Sequence, residues 1–146
     1  MMKRSKIIGC GSYLPERVVT NAELSAKLDT TDEWIRERSG IATRHVDRKV
    51  TEMSTIAGRD ALAMAGVDPI DVGLLLLATC SSEQQFPASA SVVQHKLGLR
   101  CGAIDMNAAC SGFVYGLVTA MQFINGGVER ILLIGSDALS SIIDWE

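Results

Sequence analysis

Cys110 stands near the start of the longest uncharged stretch in the chain. From Cys110 to Gly127 the sequence reads CSGFVYGLVTAMQFINGG, without one Asp, Glu, Lys or Arg. Phe113, Leu117, Met121 and Ile124 form one stripe at helical spacing, and Gly112, Gly116 and Ala120 form another made of small residues. The spacing predicts a helix over Cys110–Asn125, stopped by Gly126-Gly127 and buried on more than one side. Glycine inside a helix costs about 1 kcal/mol relative to alanine. Two at i and i+4 make sense where another backbone approaches closely.

A cysteine at a helix start meets unpaired N–H groups and the positive end of the dipole, which favour an anion. Such positions lower a thiol from about 8.5 toward roughly 3.5–7.5. The same amides can stabilise an oxyanion, so the position suits a thiolate that takes up an acyl group. The plainer reading of Cys110 is a small buried hydrophobe. Asn107-Ala108-Ala109 before it and Ser111-Gly112 after it count against that, because they clear space around the sulfur. Ser111 is a rival nucleophile, but no G-x-S-x-G elbow surrounds it.

The elements that must position this cysteine alternate. Residues 5–10 (SKIIGC) read as a first strand. Asn21 is a candidate cap for a helix over Ala22–Leu28, and Thr30 or Thr31 for one over Asp32–Arg38, with acids first, arginines last and Gly40 as its stop. Residues 41–46 suggest a short strand. Helix Ser54–Ala65, strand Val72–Ala78, helix Ala88–Leu97, strand Gly102–Met106, the Cys110 helix and strand Arg130–Gly135 follow. The continuous apolar run Val72–Ala78 fits a parallel strand covered on both faces. This rhythm argues for an α/β sheet. No repeat or linker divides the chain, so 1–146 reads as one domain. Leu139, Ile142, Ile143 and Trp145 have no later element to pack on, so the chain reads as a fragment.

Composition narrows the partners. Net charge is −3, against wholesale nucleic-acid binding. Residues 1–59 nevertheless hold 11 of the 14 Lys and Arg. The stretch Arg36, Arg38, Arg44, Arg48, Lys49 is either a solvated face or a patch for a phosphorylated ligand or acidic protein. A mean hydropathy of +0.20 suggests burial against a second domain or a partner subunit. Cys10, Cys80, Cys101 and Cys110 form no C-x-x-C pair, and only His45 and His95 offer imidazoles, so no metal site is expected. Without a secretory signal or an apolar span, reduced thiols in the cytoplasm are the natural expectation, with no membrane partner.

The segment Asp105-Met106-Asn107-Ala108-Ala109-Cys110-Ser111-Gly112-Phe113 resembles the active-site segment of the β-ketoacyl-acyl carrier protein synthase III family, thiolase-superfamily condensing enzymes that initiate bacterial fatty-acid synthesis. Gly11-Ser12-Tyr13-Leu14-Pro15, Thr20-Asn21, Asp32-Glu33-Trp34-Ile35, Arg38-Ser39-Gly40-Ile41, Phe86-Pro87 and Gly135-Ser136-Asp137 agree in order, so the resemblance covers essentially the whole chain. It implies an α/β, thiolase-like fold: the N-terminal half, with a mostly parallel mixed sheet and a buried central helix. It implies that Cys110 takes an acetyl or other short acyl group from CoA. The thioester would then be attacked by the carbanion left when malonyl-acyl carrier protein loses CO2. No cofactor is implied beyond acetyl-CoA and the phosphopantetheine arm of acyl carrier protein as substrates. Thr30, Trp34 and Arg38 match positions touching CoA or that arm. Phe86 and Leu139 match acyl-pocket positions; the Phe serves the neighbouring subunit, which implies a homodimer.

The family's decarboxylating His and Asn, and an Arg that packs on adenine, have no counterparts here; His45 and His95 do not match that His. By the resemblance, the small-residue stripe of the Cys110 helix faces a counterpart in the half not present, and Cys10, Cys80 and Cys101 are structural. The fragment alone is expected to condense little or nothing. Two alternatives stay open. One is a related thiolase-fold synthase of the quinolone, polyketide-starter or hydroxymethylglutaryl-CoA type. The other is a non-catalytic nucleotide-binding module, from Gly9-Cys10-Gly11 after a first strand, although position 14 is Leu14 where the third glycine of G-x-G-x-x-G belongs.

Overall fold

The computed structural model describes residues 4–46 and 48–143. They group into two compact units, one joining residues 4–13 to 49–143, the other Leu14–Arg48.

The smaller unit is a two-stranded antiparallel ribbon with two short helices. β1 (Arg17–Thr20) pairs with β2 (Thr43–Val46) in the register Arg17↔Val46 to Thr20↔Thr43. Between them lie α1 (Asn21–Ser25) and α2 (Asp32–Ser39). Thr20, rather than Asn21, caps α1: its hydroxyl accepts from the Glu23 amide at 3.2 Å while the Glu23 carboxylate accepts from the Thr20 amide. Asn21 is buried instead. Its Nδ2 donates to Asp32 Oδ1 at 2.7 Å and to the Ile41 carbonyl at 2.9 Å, and its Oδ1 accepts from Arg44. That side chain ties α1, α2 and β2 together, a long-range role that local cap preference does not reveal. Thr31 caps α2 through the Trp34 amide, and Gly40 ends it at φ 71°. Val19, Ile35 and Val46 are the unit's buried apolar residues.

The larger unit is built on β3 (Leu74–Ala78), the middle strand of a parallel sheet in the order β4-β3-β5, with β4 at Gly102–Met106 and β5 at Ile131–Gly135. Every residue of β3 is buried, as its unbroken apolar run requires. On one face, α3 (Val50–Ala65) and α4 (Ser89–Leu97) cover Leu75, Leu77, Leu132 and Ile134 with Val50, Leu62, Val93 and Leu97. Both helices start against carboxylates brought from elsewhere. Glu83 accepts from the Thr51 amide and hydroxyl, and Asp105 accepts from the Ser89 and Ala90 amides. The Glu83 cap lets α3 begin at Val50, ahead of the expected Ser54.

The other face carries α5 (Gly112–Asn125). Its contact is made by its small residues: a Cβ on Gly112 would come within 3.3 Å of Ala78 Cβ, and one on Gly116 would meet the Leu133 side chain. The glycine stripe therefore serves this chain's own sheet, not a counterpart elsewhere. The expected buried helix is exposed over much of its outer surface, at Phe113, Val114, Tyr115, Leu117, Val118, Met121 and Phe123. Nor do residues 5–10 form a strand. Gly9 and Gly11 lie so tightly on α3 that a Cβ on either would run into the carbonyl of Ala61 or Ala57. An apolar run reads like a strand, but the alternate glycines let it hug a helix. Leu139, Ile142 and Ile143 are exposed; Trp145 lies outside the described residues.

Candidate active site

The three parallel strands end together at the paired positions Ala78, Met106 and Gly135. Each then turns into a loop, and these loops build one site. After β4 the chain makes a 3-10 turn, Ala109–Ser111, before α5 begins. Cys110 is thus on a tight turn, not in the first turn of the α-helix. Ala109, just before it, has φ 45°, a left-handed conformation that a non-glycine residue adopts at a cost. The bend turns Cys110 out to solvent, so the reading of Cys110 as a buried hydrophobe is overturned. The turn closes on itself, the Ser111 amide donating to the Ala108 carbonyl at 3.1 Å and the Gly112 amide to the Ala109 carbonyl, and among the described residues no side chain from elsewhere caps it as Glu83 and Asp105 cap α3 and α4.

Cys110 opens onto a recess of about 310 Å³ lined by Ala78, Ala109, Phe113, Gly135, Ser136 and Asp137. Its small residues let the elements meet. Gly135 leaves room for Phe113, whose Cδ2 would lie 2.9 Å from a Cβ at that position. Asp137 holds the rim. One carboxylate oxygen accepts from the Cys80 amide at 2.8 Å, the Ser81 hydroxyl at 2.8 Å and the Thr79 hydroxyl at 3.1 Å. Ser81 Oγ in turn accepts from the Ala138 amide at 2.7 Å. The loops after β3 and β5 are so laced together beside Cys110. Burial alone would raise the Asp137 carboxyl, but the Cys80 amide, the Ser81 hydroxyl, the Cys80 thiol and the Thr79 hydroxyl outweigh it and hold it below the usual range. The same carboxylate, followed by burial, pushes the Cys80 thiol up.

The other sequence-derived candidates lie as follows. Leu139, on a 3-10 turn just past Asp137, is 49% exposed, and Phe86, on the loop before α4, is 92% exposed; neither lines the recess. In the smaller unit, Trp34 and Arg38 share one face of α2, with the guanidinium carbon 5.6 Å from the ring centroid. Trp34 stays 55% exposed. The Thr30 hydroxyl is buried with no hydrogen-bond partner. Arg36, in the same basic stretch, pairs with Asp32 at 2.8 Å. His45 bonds the Pro15 carbonyl through Nδ1, and His95 is an exposed residue of α4. Cys10 and Cys80 are exposed rather than packed, and Cys101 is partly buried. Among the described residues no three His, Cys, Asp or Glu side chains converge as metal ligands. No described helix is long and apolar enough to cross a membrane.

Sequence reasoning read Cys80 as structural and Ala109 only as a small residue clearing space around the sulfur, and gave Asp137 no role of its own. Asp137 stood within a resembling motif, Gly135-Ser136-Asp137, which was the one available signal. The left-handed alanine had none.

The family model for 3-oxoacyl-[acyl-carrier-protein] synthase III matches residues 104–146, which include the Cys110 turn. A β-ketoacyl-[acyl-carrier-protein] synthase III of Paramagnetospirillum magneticum is 49% identical over 150 residues, covering 99% of this chain and 46% of that relative. The crystal structure of 3-oxoacyl-[acyl-carrier-protein] synthase III from Aquifex aeolicus superposes with a TM-score of 0.92 at 43% identity, covering 97% of this chain and 47% of that one. The priming β-ketosynthase of the R1128 polyketide pathway superposes at 0.90 with 33% identity, covering 95% of this chain and 43% of that one. The chain spans about half the length of the curated relatives it matches. With its parallel sheet, its cysteine turn beyond β4 and this agreement along nearly its whole length, the chain has a thiolase-like fold and is similar to β-ketoacyl-[acyl-carrier-protein] synthases III over about half of their length.

Proposed function

We propose that the protein carrying this chain is an acyltransferase that starts fatty-acid synthesis, and that this chain supplies its nucleophile. Cys110 Sγ attacks the thioester carbonyl of acetyl-CoA or another short acyl-CoA; the C–S bond to CoA breaks and an acyl-Cys110 thioester remains. Malonyl-acyl carrier protein then loses CO2. The carbanion so formed attacks the acyl carbonyl, the C–S bond to Cys110 breaks, and Cys110 leaves as its own thiolate while the 3-ketoacyl chain is released as the thioester of acyl carrier protein. The observation that carries this reading is the exposed Cys110 on a strained turn that opens onto the recess. The Ser111 and Gly112 amides are held by the Ala108 and Ala109 carbonyls; the Cys110 amide, with no partner among the described residues, suits a carbonyl oxygen that gains charge during attack. Asp137 is no base in this scheme, because its carboxylate already serves three donors. Neither histidine of the chain is assigned the decarboxylation, since His45 is engaged by Pro15 and His95 does not line the recess.

Thr30, Trp34 and Arg38 are assigned to the CoA or phosphopantetheine arm. An exposed indole suits stacking on adenine, and a guanidinium suits phosphate. Phe86 and Leu139 are assigned to the acyl pocket. The near-complete exposure of Phe86 supports its service to a neighbouring subunit in a homodimer; the cytoplasm as location and acyl carrier protein as partner are part of the same proposal. Incubated with radiolabelled acetyl-CoA, the full-length protein should retain label on the peptide containing Cys110. Cys110→Ala, verified as folded by circular dichroism, should retain none; label persisting in that variant ends the proposal. The likeness to a polyketide priming synthase supports a second reading, a starter-unit synthase. A panel of acyl-CoA donors separates the two: acetyl preference favours the first, longer or branched starters the second.

A further inference from the structure

Most of the wall around Cys110 has little side chain to offer. Ala78, Ala109 and Gly135 present a methyl group or less. The one charged side chain on the wall among the described residues, Asp137, is held against the loop after β3 by three hydrogen bonds. Phe113 is the one large apolar side chain there among the described residues. Its ring lies on Gly135, where an added Cβ would come within 2.9 Å of Cδ2, 3.5 Å of Cγ and 3.6 Å of Cβ. Gly135 ends β5 and does not have a positive φ, so no backbone conformation calls for glycine there. The missing side chain instead provides a seat for the ring, as glycine in a strand does where another group approaches closely.

We propose that Phe113, seated on Gly135, sets how long an acyl group the Cys110 recess accepts. The selection presupposes the acylation of Cys110 proposed above and names a residue that chooses the donor. A chain bonded to Cys110 enters a space of about 310 Å³, at the small end of the roughly 300–1,000 Å³ usual for ligand pockets. A hydrocarbon chain is recognised there by size and apolar contact, and Phe113 is the wall residue that supplies both. One methylene admitted or refused by an apolar pocket changes a rate by roughly 10–200-fold. A wall that shifts by the width of a ring therefore decides between short and longer donors. Alanine at position 113 removes the ring and enlarges the recess. Alanine at position 135 puts a methyl group where the ring now lies, and takes volume from the recess, itself or through the ring it displaces.

The full-length protein, Phe113→Ala and Gly135→Ala are each given acetyl-, butyryl- and hexanoyl-CoA, and the rate of acyl gain on the Cys110 peptide is read by mass spectrometry. Phe113→Ala should raise the hexanoyl-to-acetyl ratio at least about tenfold, and Gly135→Ala should lower it about tenfold. A loosened fold slows every donor together and leaves the ratio where it was, so an unchanged ratio in either variant overturns the proposal. The same three proteins are treated with methyl and hexyl methanethiosulfonate. These reagents put an alkylthio group on Cys110, with loss of methanesulfinate and without acyl transfer. If no donor acylates the parent, the function proposed above fails. Size selection by Phe113 is then decided by the hexyl-to-methyl ratio on Cys110, which should move in the same two directions; a ratio that stays put overturns it.

Discussion

At the residue scale, Asp137 does what no short motif announces. One carboxylate oxygen collects an amide and two hydroxyls from the loop after β3 and fixes the wall of the Cys110 recess. Its carboxyl is held below the ordinary range in the fold, so the unfolded chain binds a proton more readily. Its stabilisation is therefore complete above the ordinary aspartate value, about 3.9, and is lost as pH falls through the lower folded value. Hydrogen bonds to a charged group contribute roughly 1.5–3 kcal/mol each. Asp137→Asn should cost about 1 kcal/mol at pH 7, discounted for the exposure of the carboxylate, and less at pH 3, read from urea midpoints at the two values. A gap of the same size at both would show that the charge contributes nothing. The variant should also slow acylation of Cys110, because the wall of its recess loosens.

Three helices of the larger unit start in different ways, and the difference matters at the scale of elements. α3 and α4 begin against Glu83 and Asp105, carboxylates from distant parts of the chain, while among the described residues no side chain caps the turn before α5. Capped starts are structural; the uncapped one carries the nucleophile. Glu83→Ala should lower stability by about 1–2 kcal/mol, the usual loss for a cap. Its first effect should be fraying of residues 50–53, seen as faster amide exchange there than in α4. Exchange that speeds equally in both helices would mean that Glu83 acts on the whole unit rather than on one helix end. Element identity was readable wherever periodicity and stop signals coincided. The span Gly102–Met106 of β4 and the glycine stops at Gly40, Gly66 and Gly98 came straight from residue order. What failed was local evidence for tertiary partners: Gly9 and Gly11 lie on a helix rather than in a strand, and Asn21 is a buried knot rather than a cap.

For the whole molecule, the imbalance of its two sheet faces is the main feature. One face is closed by α3 and α4 over a continuous apolar core. The other is covered by α5, which turns a long row of apolar side chains outward. Monomeric soluble proteins rarely expose contiguous apolar patches larger than a few hundred Å². The 146-residue chain by itself should therefore bind a hydrophobic dye and self-associate. Val118→Lys with Met121→Lys should cut dye binding severalfold and change stability by less than about 0.5 kcal/mol, as for surface positions. A large loss of stability would mean that those side chains are packed rather than exposed.

Residue order by itself determined the α/β class, most of the helices and strands, and Cys110 as the residue to watch, because periodicity, caps and stops are local signals carried by neighbours in the chain. It also carried the resemblance, since motif order survives without coordinates. Only the tertiary structure decided that Cys110 faces solvent, that Ala109 bends left-handed to turn it there and that Asp137 laces the two neighbouring loops. Those depend on where three parallel strands end in space. Parallel strands bring together residues some 30 positions apart, Ala78 beside Met106 for one, and nothing in the local sequence of either strand states which residue will be its neighbour.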